Sequence, residues 1–225
     1  MILHDLINLA FPNCCYYCDN TLETELYVCN RCLGNIKKTN YHQIPKRNEL
    51  YTLLNDPEIN GAFSMYYYEE SGILQRLIYK LKYNHKKNIG IWLGEIYGRI
   101  LQKEYICNFD YIIPVPLHKS KESLRGYNQS KMIAIGLNKY VPGCINDNSL
   151  MKIKNTASQT LKNKKKRRKD IIGSFRLMNA ELLNNKNILL VDDIITSGST
   201  ILECIKTIKE GVNCNITVCS IGRTK

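Results

Sequence analysis

Two adjacent carboxylates, Asp192 and Asp193, stand between an apolar run, residues 188–191, and a turn of small, mostly hydroxyl-bearing residues, Thr196-Ser197-Gly198-Ser199-Thr200. The apolar run reads as a buried, parallel strand, and its carboxyl end is where open α/β sheets bind ligands. After the turn, Ile201, Ile205 and Ile208 recur at helical spacing and Gly211 ends the pattern. A tight turn into a helix N-terminus offers backbone N–H groups to an anion, and four hydroxyls add donors. Carboxylates accept hydrogen bonds from vicinal hydroxyls, so ledge and cradle together suit a sugar phosphate. Paired aspartates also end strands in phospho-receiver domains, but there no hydroxyl-rich loop follows directly.

Position by position, the segment 188–200 resembles the signature of type I phosphoribosyltransferases, whose donor is phosphoribosyl pyrophosphate (PRPP). That resemblance implies a mostly parallel sheet flanked by helices, with Asp192 and Asp193 at the ribose and residues 196–200 around the 5′-phosphate. It also implies Mg2+ with the pyrophosphate. Thr196 stands where purine-salvage enzymes of that superfamily often carry an acidic residue, which argues against hypoxanthine or guanine salvage.

Ten cysteines are present, and five lie between positions 14 and 32. Cys15-x-x-Cys18 and Cys29-x-x-Cys32 have the spacing of a structural zinc ribbon, two knuckles aiming four thiolates at one point. Cys14 competes with Cys15 for the first position; the repeated two-residue spacing favours Cys15. Four cysteines would close the coordination shell and leave no site for a catalytic water. Unligated thiols on a loop are the alternative. Cys107, Cys144, Cys204, Cys214 and Cys219 are scattered, and Cys204 and Cys219 fall in helix and strand patterns as small core residues.

A chain of 225 residues with 44% hydrophobic residues holds one α/β domain and a small appendage. No run approaches the ~18–20 apolar residues that span a bilayer. The first eleven residues lack a basic segment and read as a short amphipathic element, not a signal peptide, so a cytoplasmic location is expected. In that compartment cysteines need not pair. The expected organisation is a zinc ribbon over 1–36, a polar connector over 37–60 and a phosphoribosyltransferase-like domain over 61–225. Within that domain, strands are expected at 63–68, 111–115, 174–178 and 216–221, besides 188–191. Helices are expected from Ile73 to Leu81, from Ile89 to Ile100, and from a cap at Asn128 to about Lys139. The fifteen tyrosines are dispersed, and most read as packing residues with a wet hydroxyl, not a base-stacking platform.

The stretch 117–126 after the second strand reads as a loop facing the same crevice. It carries His118, Lys119, Lys121 and Arg125, suited to a pyrophosphate; a solvated basic loop is the alternative. Its full run, Pro114-Val-Pro-Leu-His followed by Arg125-Gly-Tyr-Asn-Gln129, closely resembles the ComF (ComFC) competence family. So do Phe11-Pro12 before the ribbon, residues 77–83 with their Leu-Lys-Tyr ending, Asn155-Thr156 with Gln159, and Gly173-Ser174-Phe175. Asp170 departs from the family's usual asparagine. The resemblance implies natural transformation, action on incoming single-stranded DNA, and the helicase ComFA as partner.

The net charge is +12, and residues 1–50 balance five Lys/Arg against five Asp/Glu, so the excess lies in 51–225. Seven of the eight residues 162–169 are basic. That run is read as a solvated loop, a lid over pyrophosphate, or a contact for single-stranded DNA; no aromatics interleave it, which argues against sequence-specific reading. Two function classes remain open: an enzyme transferring phosphoribosyl from PRPP, such as an amidophosphoribosyltransferase-like enzyme, or a non-catalytic sensor of PRPP or a nucleotide that binds single-stranded DNA. A third, a zinc-ribbon DNA-binding regulator with a vestigial fold, fits less well because the signature at 188–200 is intact.

Overall fold

The structure, a computed structural model, describes residues 12–22, 27–105, 108–155 and 170–225. The amphipathic N-terminus, Cys107, Thr156, Gln159 and the basic run 162–169 lie outside the described residues.

Five strands form a parallel sheet in the order β1-β7-β6-β2-β3, where β1 is Ile59–Tyr67, β2 Tyr111–Pro114, β3 Cys144–Ile145, β6 Asn187–Ile195 and β7 Asn215–Arg223. Leu189 and Leu190 point to opposite faces of β6 and both are fully buried, as a central strand covered on both sides requires. From β2 the chain moves outward to β3, whereas from β6 it moves the other way to β7. The topological switch therefore lies between β2 and β6, where a doubly wound sheet opens a crevice.

β6 extends further than the apolar run suggests. Both aspartates lie inside it, and its ladder with β7 continues from Asp192↔Ser220 to Ile195↔Arg223. β2 ends earlier, with Pro114 opposite Val191. One edge of β6 is thus freed from Asp192 onward while the other edge keeps it straight.

The short α1 (Asn30–Gly34) carries Cys32 of the second cysteine pair. The longer helices follow the apolar periodicity. α3 (Ile73–Tyr83) buries Leu74, Leu77, Ile78 and Leu81. α4 (Lys87–Glu104) packs on α6 (Gln129–Asn138) so closely that a methyl group on Gly94 would run into the Ile133 carbonyl and one on Gly136 into the Ile91 carbonyl. Asn128 caps α6 as expected, its side chain accepting from the Ser130 and Lys131 N–H groups. α7 (Ser199–Lys209) buries Ile201, Cys204, Ile205 and Ile208.

Two features depart from the sequence reading, at 117–126 and within 37–60, and the strand expected at 174–178 forms but outside the main sheet. The stretch 117–126 holds a helix, α5 (Lys119–Arg125). The strand expected at 174–178 is β5 (Phe175–Leu177), paired antiparallel with β4 (Leu150–Lys152) outside the main sheet. Within 37–60, α2 (Glu49–Leu54) buries Leu50 and Leu54, with Asn48 as its cap. Just before it, Thr39 and Lys37 bond the outer edge of β1 through Met65 and Tyr67, which shields that edge.

Candidate functional site

Asp193 is buried, 6% exposed, and its Oδ1 accepts from the Ile194 N–H at 2.7 Å. Its Oδ2 lies 2.7 Å from the Lys82 ammonium, which reaches in from the last turn of α3. Burial alone would lower the Lys82 pKa, but the Asp193 carboxylate outweighs it and raises the value. Half-buried Asp192 accepts from the Ser130 hydroxyl at 3.0 Å and from the Asp193 N–H at 2.9 Å. Burial and the neighbouring Asp193 charge push its carboxyl up to about 7, against the pull of Lys82 and those donors. The ledge is therefore two carboxylates, one ion-paired and one near its titration point at neutral pH.

The turn beyond it runs from exposed Thr196 to buried Ser199. Gly198 adopts φ +72° at the N-cap of α7, a conformation that L side chains rarely take. A Cβ there would stand 3.0 Å from Leu54 Cδ2, so α2 roofs the turn. The Ser197 and Ser199 hydroxyls lie 3.0 Å apart. The first N–H groups of an α-helix have no intrahelical acceptor, so those of α7 face the turn as anion donors beside these hydroxyls.

On the β2 side, His118 caps α5 by accepting from the Ser120 N–H, and Lys119 is exposed at its first position. Arg125 bonds Gln129 Oε1 at 2.8 Å and lies over the Tyr83 ring. Lys121 is pushed down to about 8 by burial and by the charges of Lys152, Arg125 and Lys82. A cluster of four cations thus borders the ledge, and Lys121 belongs to it. Gln129 is 2% exposed, and its Nε2 has no hydrogen-bond partner among the described residues, a donor left over beside Arg125.

Sequence reasoning misses Lys82, Lys152 and Ser130 as site residues. Lys82 follows core residue Leu81 on a helix whose apolar stripe gives no hint of a carboxylate. Ser130 reads as part of a capped first turn. Only Lys82 has a signal, in the Leu-Lys-Tyr ending of 77–83.

Near the N-terminus the Sγ atoms of Cys15, Cys18, Cys29 and Cys32 all lie within 4.8 Å of one another. Tetrahedral Zn–S bonds of about 2.3 Å imply sulphurs roughly 3.8 Å apart, and Cys18 Sγ lies 3.8 Å from Cys29 Sγ. Cys14 Sγ turns away to the Pro12 carbonyl. Burial acts to raise the Cys15 thiol, but backbone N–H donors from Cys18, Cys29 and Tyr17 outweigh it and bring it down to about 6; burial and three neighbouring sulphurs raise Cys32. A soft dication resolves that conflict, so the cluster could hold a structural zinc ion. Tyr27 stacks edge-on against Trp92 of α4, and Arg76 of α3 bonds the Tyr17 carbonyl, docking the knuckles on the main domain.

A mostly parallel sheet flanked by helices, with a four-cysteine cluster docked against it, is the class of protein defined here. The chain is a homologue of bacterial proteins named for competence and DNA utilization. It is 26% identical to DNA utilization protein YhgH of Escherichia coli O157:H7 over 156 residues, 67% of each chain. With Competence protein F of Haemophilus influenzae it shares 32% over 100 residues, 44% of each. With Competence protein ComFC of Bacillus subtilis it shares 22% over 194 residues, 80% of this chain and 77% of that protein. No family model matches the chain. Similar solved structures include a hypoxanthine phosphoribosyltransferase from Staphylococcus aureus, 15% identical with TM-score 0.36, covering 62% of this chain and 68% of that one. Glutamine PRPP amidotransferase from B. subtilis, 13% identical with TM-score 0.39, covers 62% and 30%. Among the described residues no helix is long and apolar enough to cross a membrane.

Proposed function

We propose that this chain binds PRPP with Mg2+ in the crevice between β2 and β6 and works in DNA uptake. The observation that carries the reading is the sequence of ledge, turn and helix along β6 and α7, faced by cations from α3, α5 and β4. Asp192 and Asp193 would accept from the two ribose hydroxyls. Residues 196–200 would hold the 5′-phosphate, and Lys121, Arg125, His118 and Lys119 would meet the pyrophosphate. Hard carboxylate oxygens suit Mg2+, which would neutralise the leaving pyrophosphate. Lys82 must then yield part of its hold on Asp193. If an acceptor attacks C1, the reaction needs no protein nucleophile. Positioning, charge neutralisation and water exclusion suffice for an oxocarbenium-like centre.

The homologues' names, competence and DNA utilization, support DNA uptake as the setting; the helicase ComFA as partner rests on the sequence resemblance, and the cytoplasm is the expected compartment. Two sub-readings differ in one measurement. Release of pyrophosphate from PRPP with candidate acceptors marks an enzyme, in the manner of an amidophosphoribosyltransferase; binding without release marks a sensor.

Thermal denaturation with PRPP and Mg2+ tests the binding itself. At ~1,000-fold excess over a micromolar Kd, a ligand that binds only the folded chain adds roughly 4 kcal/mol. Thr200→Ala should shrink the shift. Lys206→Ala should leave it intact, since Lys206 pairs with Glu210 on the outer face of α7. Absence of any shift in the native protein would remove PRPP as the ligand.

In this reading the basic run 162–169 would contact single-stranded DNA. Neutralising Lys164, Lys165, Lys166, Arg167 and Arg168 should flatten the salt dependence of DNA binding, by about 0.7 in log slope for each phosphate no longer neutralised. Loss of PRPP binding instead would make the run a pyrophosphate lid.

A further inference from the structure

The outer face of α3 carries a row of aromatic and cationic side chains that the site above does not use. Leu74, Leu77, Ile78 and Leu81 occupy the buried side. Arg76, Tyr79, Lys80 and Tyr83 occupy the other, as two neighbouring rows, Arg76/Lys80 and Tyr79/Tyr83, each pair four residues apart, on a face about 10 Å long. Tyr79 is 60% exposed and Tyr83 55%, and their rings stand 5.0 Å apart. Single exposed aromatics are ordinary on a protein surface. This pair is bracketed by cations at both ends. At the ribbon end, Lys80 Nζ lies 4.3 Å from the Tyr16 ring centroid, and the Arg76 guanidinium lies 5.2 Å from that of Tyr17. At the other end, the Arg125 guanidinium lies 5.4 Å from that of Tyr83. No carboxylate occurs in α3, and Asn84-His85-Lys86-Lys87 follows it directly.

Exposed rings with cations beside them on one helix face match the two needs of a single strand: π-faces for bases and positive charge along the backbone. A folded protein partner would prefer an apolar centre with a polar rim; here two touching rings are flanked by cations. We infer that the outer face of α3, with Tyr16, Tyr17 and Arg125 at its ends, is a platform for single-stranded nucleic acid. Bases stack on Tyr79 and Tyr83, and phosphates follow Arg76 and Lys80. This departs, for Tyr79 and Tyr83, from the reading of most tyrosines as packing residues. It deepens the DNA-uptake part of the proposed function and is separate in sequence from the basic run 162–169.

The test is fluorescence polarisation with a labelled oligothymidylate of about 20 nucleotides, using the full chain. Tyr79→Ala/Tyr83→Ala should weaken binding at least about tenfold with an unchanged salt slope, because stacking is not ionic. Tyr79→Phe/Tyr83→Phe keeps the π-faces and should bind within about twofold of the native chain. Arg76→Gln/Lys80→Gln should lower the salt slope instead. A duplex of the same length should bind less well to the native chain and ignore the tyrosine changes. Native-strength binding by the double alanine variant would overturn the platform. Equal loss in the phenylalanine variant would overturn it too, as would failure of the native chain to bind the oligonucleotide. A tyrosine-dependent change in self-association would assign the face to a second copy and also overturn it. The PRPP thermal shift of Tyr79→Ala, measured in parallel, should equal that of the native protein, so a failed platform and a failed PRPP site give different results.

Discussion

The Lys82 ammonium lies 2.7 Å from the Asp193 carboxylate, joining the last turn of α3 to the acidic ledge of β6. The two side chains are 26% and 9% exposed. The pair therefore falls between a surface ion pair, worth under about 1 kcal/mol, and a fully buried one, whose rupture costs about 3–5 kcal/mol. A double-mutant cycle of Lys82→Met and Asp193→Asn by urea denaturation should return a coupling of about 1–3 kcal/mol. Additive effects would mean that the contact does not stabilise the fold. Asp193→Asn should also reduce the PRPP thermal shift.

Asp192 gives the fold an unusual pH dependence. Its folded pKa, about 7, lies above the ordinary carboxylate value, so between roughly pH 4 and pH 7 the native chain binds more protons than the unfolded one. Its contribution is thus fully present at low pH and lost as pH rises through about 7. Asp192→Asn should flatten that decline. The gain in melting temperature over the native protein should be larger at pH 8 than at pH 5. A gain larger at pH 5 would mean that Asp192 is ionised well below neutrality.

Lys121 supplies a second titration with the opposite reach. Burial and the charges of Lys152, Arg125 and Lys82 hold it at about 8. An anion placed among these cations would restore its charge, so binding of inorganic pyrophosphate should take up a proton and weaken as pH rises above about 8. Calorimetry in two buffers of different ionisation enthalpy reads the proton directly. In Lys121→Gln the uptake should vanish.

Gly198→Ala tests the turn. A Cβ at φ +72° costs about 1–2 kcal/mol in backbone strain, and the methyl would press on Leu54 Cδ2. The variant should melt lower and lose most of the PRPP shift. Loss of stability with a full shift would show that the phosphate cradle lies elsewhere.

The metal is checked by elemental analysis of the purified chain. Zinc should be present at one equivalent and be lost in Cys15→Ser, whereas Cys14→Ser should retain it, since Cys14 points to Pro12. Chelation should lower the melting temperature, because so small a knuckle pair draws its folding free energy from the metal.

The features legible in the sequence are those encoded within a few residues. Two CxxC pairs must form knuckles, and apolar residues at helical spacing must bury one face. Carboxylates followed by a hydroxyl-rich glycine turn mark the end of one strand and the start of one helix. Asn128 announces its cap by its chemistry alone. What the tertiary structure decided are the contacts between distant segments. Lys82 is legible only as the residue after Leu81 until the sheet brings Asp193 to it. Ser130 and Lys152 reach the ledge only because β2 and β6 meet at the topological switch. Leu54 roofs Gly198 from a stretch that reads as connector. Tyr79 and Tyr83 look like packing residues in the sequence, because exposure is a property of the assembled surface and not of spacing. The physical reason is the same throughout. Backbone propensity and periodicity act over one or two turns, whereas charge pairing and burial depend on which elements the hydrophobic core draws together.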